Sequence, residues 1–395
     1  MKDAGTDDDA RRSPIPLSLY IHIPWCVRKC PYCDFNSHEA GASIPEEAYV
    51  DRLLEDLARD VDHYEESREI HSIFIGGGTP SLFSGEAITR LLTGVRSALR
   101  LAAGAEVTLE ANPGTIDTAA RRFHAFRAAG VNRISLGAQS FDDMSLSALG
   151  RIHCASDIDH AFEAASSAGF SRINIDLMHG LPGQSSEHAA RDLQRALGLG
   201  ADHISWYQLT LEPNTVFYRR PPSLPDEDIM AEIQDHGSGI LAGAGLKRYE
   251  VSAFCRPGEE ARHNLNYWAF GDYLGIGAGA HGKITRADGT IERTRKTRLP
   301  RDYLAEPRVR RDPVPQSALV IEFLLNALRL TGGFDLALFE QRTGLPRQAL
   351  HRFIERSTSR ALLEVSGERL KPTPTGMNFL NELLLLADDD TIQRG

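Results

Sequence analysis

Six short, near-continuous apolar runs, each followed by a stretch with helical periodicity, limit what this chain can fold into. The runs lie at 17–23, 72–75, 107–110, 133–136, 172–176 and 203–209. Runs of that length read as strands covered on both faces, the pattern of a parallel sheet with helices packed against it. After the first run, Val50, Leu53, Leu54, Leu57, Val61 and Tyr64 fall on one helical face behind Pro45-Glu46-Glu47. Leu91, Leu92, Val95 and Leu99 repeat the pattern after the second. This alternation specifies an α/β fold. Six units point to a partial (β/α)6, TIM-like barrel with an open side, although a doubly wound sheet has the same periodicity.

The rhythm stops past residue 215. Arg220-Pro-Pro-Ser-Leu-Pro is a stiff connector, 226–244 reads as helix, and 248–254 alternates like a strand. Loops, short strands and a hairpin turn at Ala287-Asp288-Gly289 follow. The segment 293–311 carries eight Lys/Arg against Asp302 and Glu306 and reads as a solvated basic linker. Helices at 317–331, 335–343 and 347–362, a hairpin pattern from Leu362, and a last helix through 380–386 suggest a small winged-helix-like module. The expected division is therefore a disordered acidic tail at 1–14, the barrel core at 15–240, a barrel extension with the basic linker at 241–310, and a helical C-terminal domain at 311–395.

The chain of 395 residues is long enough for one large and one small core. No apolar run approaches the ~20 residues that cross a bilayer, and the polar start lacks a signal-peptide core. Five cysteines, three of them clustered, do not form a disulfide framework, so a reducing, cytoplasmic setting is expected. A net charge of −10 argues against nucleic acid as a partner.

Chemistry concentrates where the runs end, as it does on α/β folds. Past the first run come Cys26, Cys30 and Cys33, spaced C-x3-C-x2-C. Three thiolates that close can hold one face of an iron–sulfur cluster and leave one iron without a protein ligand. The alternatives are structural zinc, with His22 or His38 as a fourth ligand, and three idle thiols. Other strand ends carry Gly76-Gly77-Gly78-Thr79-Pro80, Glu110-Ala-Asn-Pro-Gly114, Gly137-Ala-Gln139-Ser140 and Asp176-Leu-Met-His179-Gly.

Together these motifs resemble the radical S-adenosylmethionine superfamily, and within it the branch that holds oxygen-independent coproporphyrinogen III oxidase and a haem chaperone. The resemblance runs from about Ile15 into the C-terminal domain and includes Leu-Tyr-Ile-His-Ile-Pro-Trp-Cys, Phe-Ile-Gly-Gly-Gly-Thr-Pro-Ser and Asp-Leu-Met-His-Gly-Leu-Pro-Gly-Gln. It implies a 4Fe–4S cluster on Cys26, Cys30 and Cys33, with S-adenosylmethionine on the open iron. It also implies roles around that ligand. Tyr32 would pack on the adenine, with Tyr20 approaching from the first strand. Gly77 and Gly78 would let the backbone reach the methionine amine, and Thr79 would add a hydroxyl. Glu110 would pair with amine or ribose and Arg151 with a carboxylate. Gln139 and Asp176 would complete the polar lining.

Two departures separate the branch members. The oxidase has a longer segment before its cluster loop and commonly a further cysteine where this chain has Phe35. His263-Asn264-Leu265-Asn266-Tyr267-Trp268 matches the H-N-x-x-Y-W motif of the haem chaperone. An imidazole suits haem iron, and Tyr and Trp offer flat apolar faces, so the resemblance implies a haem site at His263, Asn264, Tyr267 and Trp268. The alternative is a loop whose rings plug the open barrel. The function implied is binding of haem and its transfer to an acceptor haemoprotein of the respiratory membrane, with cluster-gated dimer formation and without catalysis. The rivals are radical decarboxylation of coproporphyrinogen III and a non-redox interaction scaffold.

Overall fold

The computed structural model of the chain describes residues 15–114 and 119–392. The acidic tail at 1–14 lies outside the described residues. All six apolar runs form strands: β1 (Leu17–Ile23), β2 (Ile70–Gly77), β3 (Leu101–Ala111), β4 (Arg133–Gln139), β5 (Ile173–His179) and β6 (His203–Gln208). Neighbours in this order pair in parallel. Helices α1 (Glu46–Tyr64), α2 (Gly85–Ala98), α3 (Ala119–Ala129), α4 (Ala155–Ser167) and α5 (Ser186–Gly198) make the crossovers, and α6 (Glu227–Gly243) follows β6. Apolar faces of α1 and α2, among them Leu53, Leu57, Ile88 and Leu91, bury against Leu19, Ile21, Ile73 and Ile75. That burial covers one face of the sheet, while the alternate residues Ser18, Tyr20, His22 and Ser72 point to the other.

The sheet stays open and extends at both ends to twelve strands. Beyond β6 lie β8 (Ala253–Cys255) and then β7 (Lys247–Glu250), both antiparallel to their neighbours. On the other side, β9 (Asp272–Ile276) joins β1 in parallel. Next come β10 (His281–Thr285), β11 (Ile291–Lys296) and β12 (Val309–Pro313), with the expected turn at Asp288-Gly289 between β10 and β11.

The segment 293–311 is therefore no solvated linker. Its cations lie on or beside sheet strands, and all but Arg298 pair with acids. Buried Lys296 donates to Asp56 (2.6 Å) and Asp60 (2.7 Å) of α1, Arg311 reaches Asp60, and Arg293 pairs with Glu322. In the sequence the partners of Lys296 are more than two hundred residues away, so the run looks unpaired when read locally.

The C-terminal segment packs Phe323, Phe334, Phe339 and Phe353 into one core with Phe270. Its helices, including Leu319–Ala327, Leu336–Thr343 and His351–Ser359, flank a small sheet in which Arg369–Pro372 lies between Phe334–Asp335 and Leu363–Ser366. Phe270, two residues before β9, ties this core to the sheet.

Candidate functional site

Pro24 ends β1, and a two-residue parallel ladder of Trp25–Cys26 with His38–Glu39 closes the loop that carries the three thiols. The loop is tied to the turn after β2 by the Gly78 N–H on the Ile23 carbonyl (2.8 Å) and the Thr79 N–H on the Trp25 carbonyl (2.7 Å). Within it the Cys33 N–H donates to the Cys30 carbonyl (3.2 Å). Trp25 anchors it from below against Tyr49 and Phe83. The glycines of the β2 turn are part of that packing: at Gly77, with φ 116°, a Cβ would lie 2.5 Å from the His22 ring, and at Gly78 2.5 Å from the Trp25 carbonyl oxygen. The sequence-level reason, room for a ligand, is thus joined by a second one, room for the loop itself.

Cys26, Cys30 and Cys33 are free, half-buried thiols lining one cavity of about 710 Å³ at the strand C-termini. Burial lifts the Cys26 and Cys33 thiols above their ordinary range; hydrogen bonds from Thr79 and Ser37 pull the other way. Metal binding to such a set releases protons. Among the described residues no three His, Cys, Asp or Glu side chains are grouped as ligands to a single metal ion. A cubane cluster takes its thiolates on separate irons and does not need such convergence.

Of the residues assigned to S-adenosylmethionine, Tyr32, Gly77, Gly78 and Thr79 line this cavity beside the thiols, and Glu110, Gln139, Arg151 and Asp176 line its floor and far wall. Arg151 donates to the Gly137 carbonyl (2.7 Å) and lies 3.7 Å from the Cys30 sulfur, while its buried Nε has no protein partner. Glu110 accepts from the Gly77 N–H (3.0 Å). Burial first, and neighbouring Asp176 second, push Glu110 up to about 8. Asp176, held by Ser135 (2.9 Å) and Asn174 (2.8 Å), is also raised by burial. Gln139 sits at φ 71° and accepts from the Tyr207 hydroxyl (2.7 Å), a left-handed non-glycine residue of the kind that clusters at functional sites. Tyr207 was not singled out from the sequence; its inward alternation on β6 is the signal that points to it.

Tyr20 does not face the thiol cavity. It opens onto a second, adjoining cavity of about 640 Å³, and its hydroxyl is paired with His22 Nδ1 (2.8 Å). The two cavities share Asp34, Phe35, Gly77 and Glu110.

The H-N-x-x-Y-W motif forms helix α7 (Arg262–Trp268), which packs on β2 inside the sheet's curve. His263 is 1% exposed, and both ring nitrogens are occupied, Nδ1 by Ser72 (3.0 Å) and Nε2 by the Tyr267 hydroxyl (2.9 Å). Burial holds its pKa down at about 3, so the ring is neutral. The Trp268 ring lies under Arg329 (4.3 Å), and neither Trp268 nor half-buried Asn264 lines either cavity. Only Tyr267 of the four opens onto one, the second. His263 is thus enclosed by the fold, and four residues on, half-buried Tyr267 is the ring of the motif that opens onto a cavity.

The Radical SAM superfamily profile matches residues 20–196, and that of the HemN C-terminal domain matches 314–379. Heme chaperone HemW of Escherichia coli (strain K12) is 50% identical over 373 residues, which cover 94% of this chain and 98% of that protein. The chain belongs to the HemW family. Heme chaperone HemW of Haemophilus influenzae is 48% identical over 94% of this chain and 97% of its own length. The mitochondrial Radical S-adenosyl methionine domain-containing protein 1 of Mus musculus is 42% identical over 71% of this chain and 64% of its own. Among solved structures, the radical SAM enzyme coproporphyrinogen III oxidase (HemN) from Escherichia coli superposes with a TM-score of 0.80 over 96% of this chain and 92% of that chain, at 22% identity. That likeness shows a shared fold: a radical SAM α/β sheet with helices. Superfamily membership implies a 4Fe–4S cluster and S-adenosylmethionine, in agreement with the thiol loop and the polar cavity below it.

Proposed function

We propose that this chain is a haem chaperone: it binds haem beside a 4Fe–4S cluster and delivers it to an acceptor haemoprotein. The observation that carries this reading is the near-full-length identity to HemW proteins, on a fold in which a second, aromatic-walled cavity adjoins the thiol cavity. Cys26, Cys30 and Cys33 would hold the cluster. When bound, the cluster supplies an open iron position and a one-electron centre. Tyr32, Gly77, Gly78, Thr79, Glu110, Gln139, Arg151 and Asp176 would hold S-adenosylmethionine. Arg151 has a free buried Nε to offer a carboxylate, and Gln139 and Asp176 fix the polar wall. The proposed setting is the cytoplasm, where five free cysteines stay reduced, and the proposed acceptor is a haem enzyme of the respiratory membrane. No described helix is long and apolar enough to cross a membrane itself. The reading includes a homodimer whose formation follows cluster loading, and a mass shift on anaerobic gel filtration is the expected sign of it.

Haem-loaded chain mixed with an apo-haemoprotein acceptor is expected to lose its Soret absorbance as the acceptor gains activity. Incubated anaerobically with coproporphyrinogen III, S-adenosylmethionine and a reductant, it is expected to form no protoporphyrinogen. Product formation in the second assay would establish the oxidase instead.

Glu110 gives this site a pH dependence. With its pKa at about 8, the carboxyl is mostly protonated at neutral pH and must ionise to form an ion pair with the cationic amine of the ligand. Affinity for S-adenosylmethionine is therefore expected to rise with pH, by up to about tenfold per unit below the pKa, and to level off above it. Calorimetric titration of the cluster-loaded chain between pH 6 and 9 measures this, and Glu110→Gln is expected to flatten the profile.

A further inference from the structure

We propose that the Tyr267 hydroxyl is a displaceable cap on His263 Nε2, and that Ser72 is the positioning residue that readies the same imidazole for the iron of the cargo. The inference rests on the haem-chaperone reading, with the H-N-x-x-Y-W helix as its cargo site.

The two sides of the His263 ring differ in what closes them. Nδ1 meets Ser72 Oγ (3.0 Å), and Ser72 in turn meets Ser18 Oγ (2.7 Å). These serines are register partners on β1 and β2, in the middle of the sheet, and both are buried. The Phe74 ring of β2 adds a further neighbour, its centroid 5.2 Å from that of the imidazole. That side is locked into the sheet. Nε2 meets only the Tyr267 hydroxyl (2.9 Å), which has no other hydrogen-bond partner among the described residues. Tyr267 is half-buried and opens onto the second cavity, whose volume of about 640 Å³ gives the phenol ring a place to go. Its contact with Tyr273 is edge-on (4.4 Å between centroids) and fixes no hydroxyl. The nitrogen that can be uncovered is therefore Nε2.

The helix itself is tied down while the cap is not. The His263 N–H donates to buried Glu106 (3.2 Å), and Glu106 is held by Arg172 (3.0 Å). At the other end of α7 the Asn266 amide donates to the Asp272 carbonyl (2.8 Å) at the start of β9. Uncovering Nε2 thus asks for a rotation of the Tyr267 side chain and leaves the helix in place.

A histidine that binds a metal donates its other ring N–H to a neighbour that fixes tautomer and orientation. Ser72 suits that role, because a hydroxyl accepts from Nδ1–H as readily as it donates to Nδ1, and Ser18 takes the complementary part. When cargo binds, a coordinate bond forms between Nε2 and the iron, and the hydrogen bond between Nε2 and Tyr267 breaks. The single proton of the neutral ring lies on Nδ1, facing Ser72 Oγ. No electron changes hands. Tyr267 keeps its flat face at the cavity wall, where it can lie against a macrocycle.

The test is an anaerobic titration of the full, cluster-reconstituted chain with two probes, ferric protoporphyrin IX and metal-free protoporphyrin IX. Tyr267→Phe is expected to bind ferric haem about two- to tenfold more tightly at the wild-type Soret position, since the free chain has no cap to give up. Ser72→Ala is expected to weaken ferric haem roughly ten- to hundredfold and to shift the Soret band, with affinity for the metal-free ring unchanged. His263→Ala is expected to lose the axial-ligand signature. A Tyr267→Phe chain whose haem affinity is unchanged or lower, or whose Soret band loses that signature, overturns the cap. A Ser72→Ala chain that weakens both probes alike, or neither, overturns the positioning role. A His263→Ala chain that keeps the wild-type band overturns both, and the chaperone reading stands as long as wild type binds haem. A wild-type chain that binds neither probe removes the chaperone reading and this inference together.

Discussion

Cys30→Ala is expected to fold normally and to carry almost no iron or inorganic sulfide after anaerobic reconstitution, where the wild-type chain takes up about four of each. The thiol lies on a loop beyond β1, half-buried and outside every apolar core, so its removal takes nothing from packing. It does take one of the three proposed cluster ligands, and two thiolates do not hold a cubane that already lacks a fourth protein ligand. Metal and sulfide analysis beside a far-UV spectrum reads both halves of the expectation. Retained iron and sulfide would contradict the ligand assignment.

Lys296→Met is expected to destabilise the chain by about 3–5 kcal/mol, the usual cost of removing one partner from a buried ion pair. The ammonium is fully buried between Asp56 and Asp60, and Asp56 also accepts from the Tyr303 hydroxyl (2.7 Å). Without it two carboxylates one turn apart on α1 are buried against β11, with Arg311 at 3.2 Å from Asp60 as the remaining cation. Burial already raises Asp60, and losing Lys296 raises it further. A carboxyl whose folded pKa lies above its unfolded one stabilises below the unfolded value and loses that stabilisation as pH rises through the folded one. The deficit of the variant is therefore expected to be small near pH 5 and to grow toward neutrality. Urea midpoints at the two pH values measure it, and a loss under 1 kcal/mol at neutral pH would count against the buried-pair account.

What the sequence made legible was local. The six parallel strands and the thiol loop each announce themselves within ten residues, by apolar continuity or by spacing. Strand β3 begins at Leu101, well before its apolar stretch, because Ala102, Ala103, Gly104 and Ala105 carry little strand signal. β9 was harder to see: Asp272 and Gly275 interrupt its pattern, and its partner β1 lies some 250 residues earlier in the chain. The burial of His263 could not be read from its motif, since Ser72 of β2, the residue that occupies Nδ1, belongs to a distant strand. Motif spacing records which side chains are near in sequence, and a cavity is built by those that are not.

The central claim is that a tetrapyrrole is this protein's cargo. Its most direct test is an oxygen-free titration of the reconstituted chain with ferric haem, followed through the Soret band. The account predicts a saturable shift that ends at one haem per chain. A band that stays that of free haem at every ratio would contradict it.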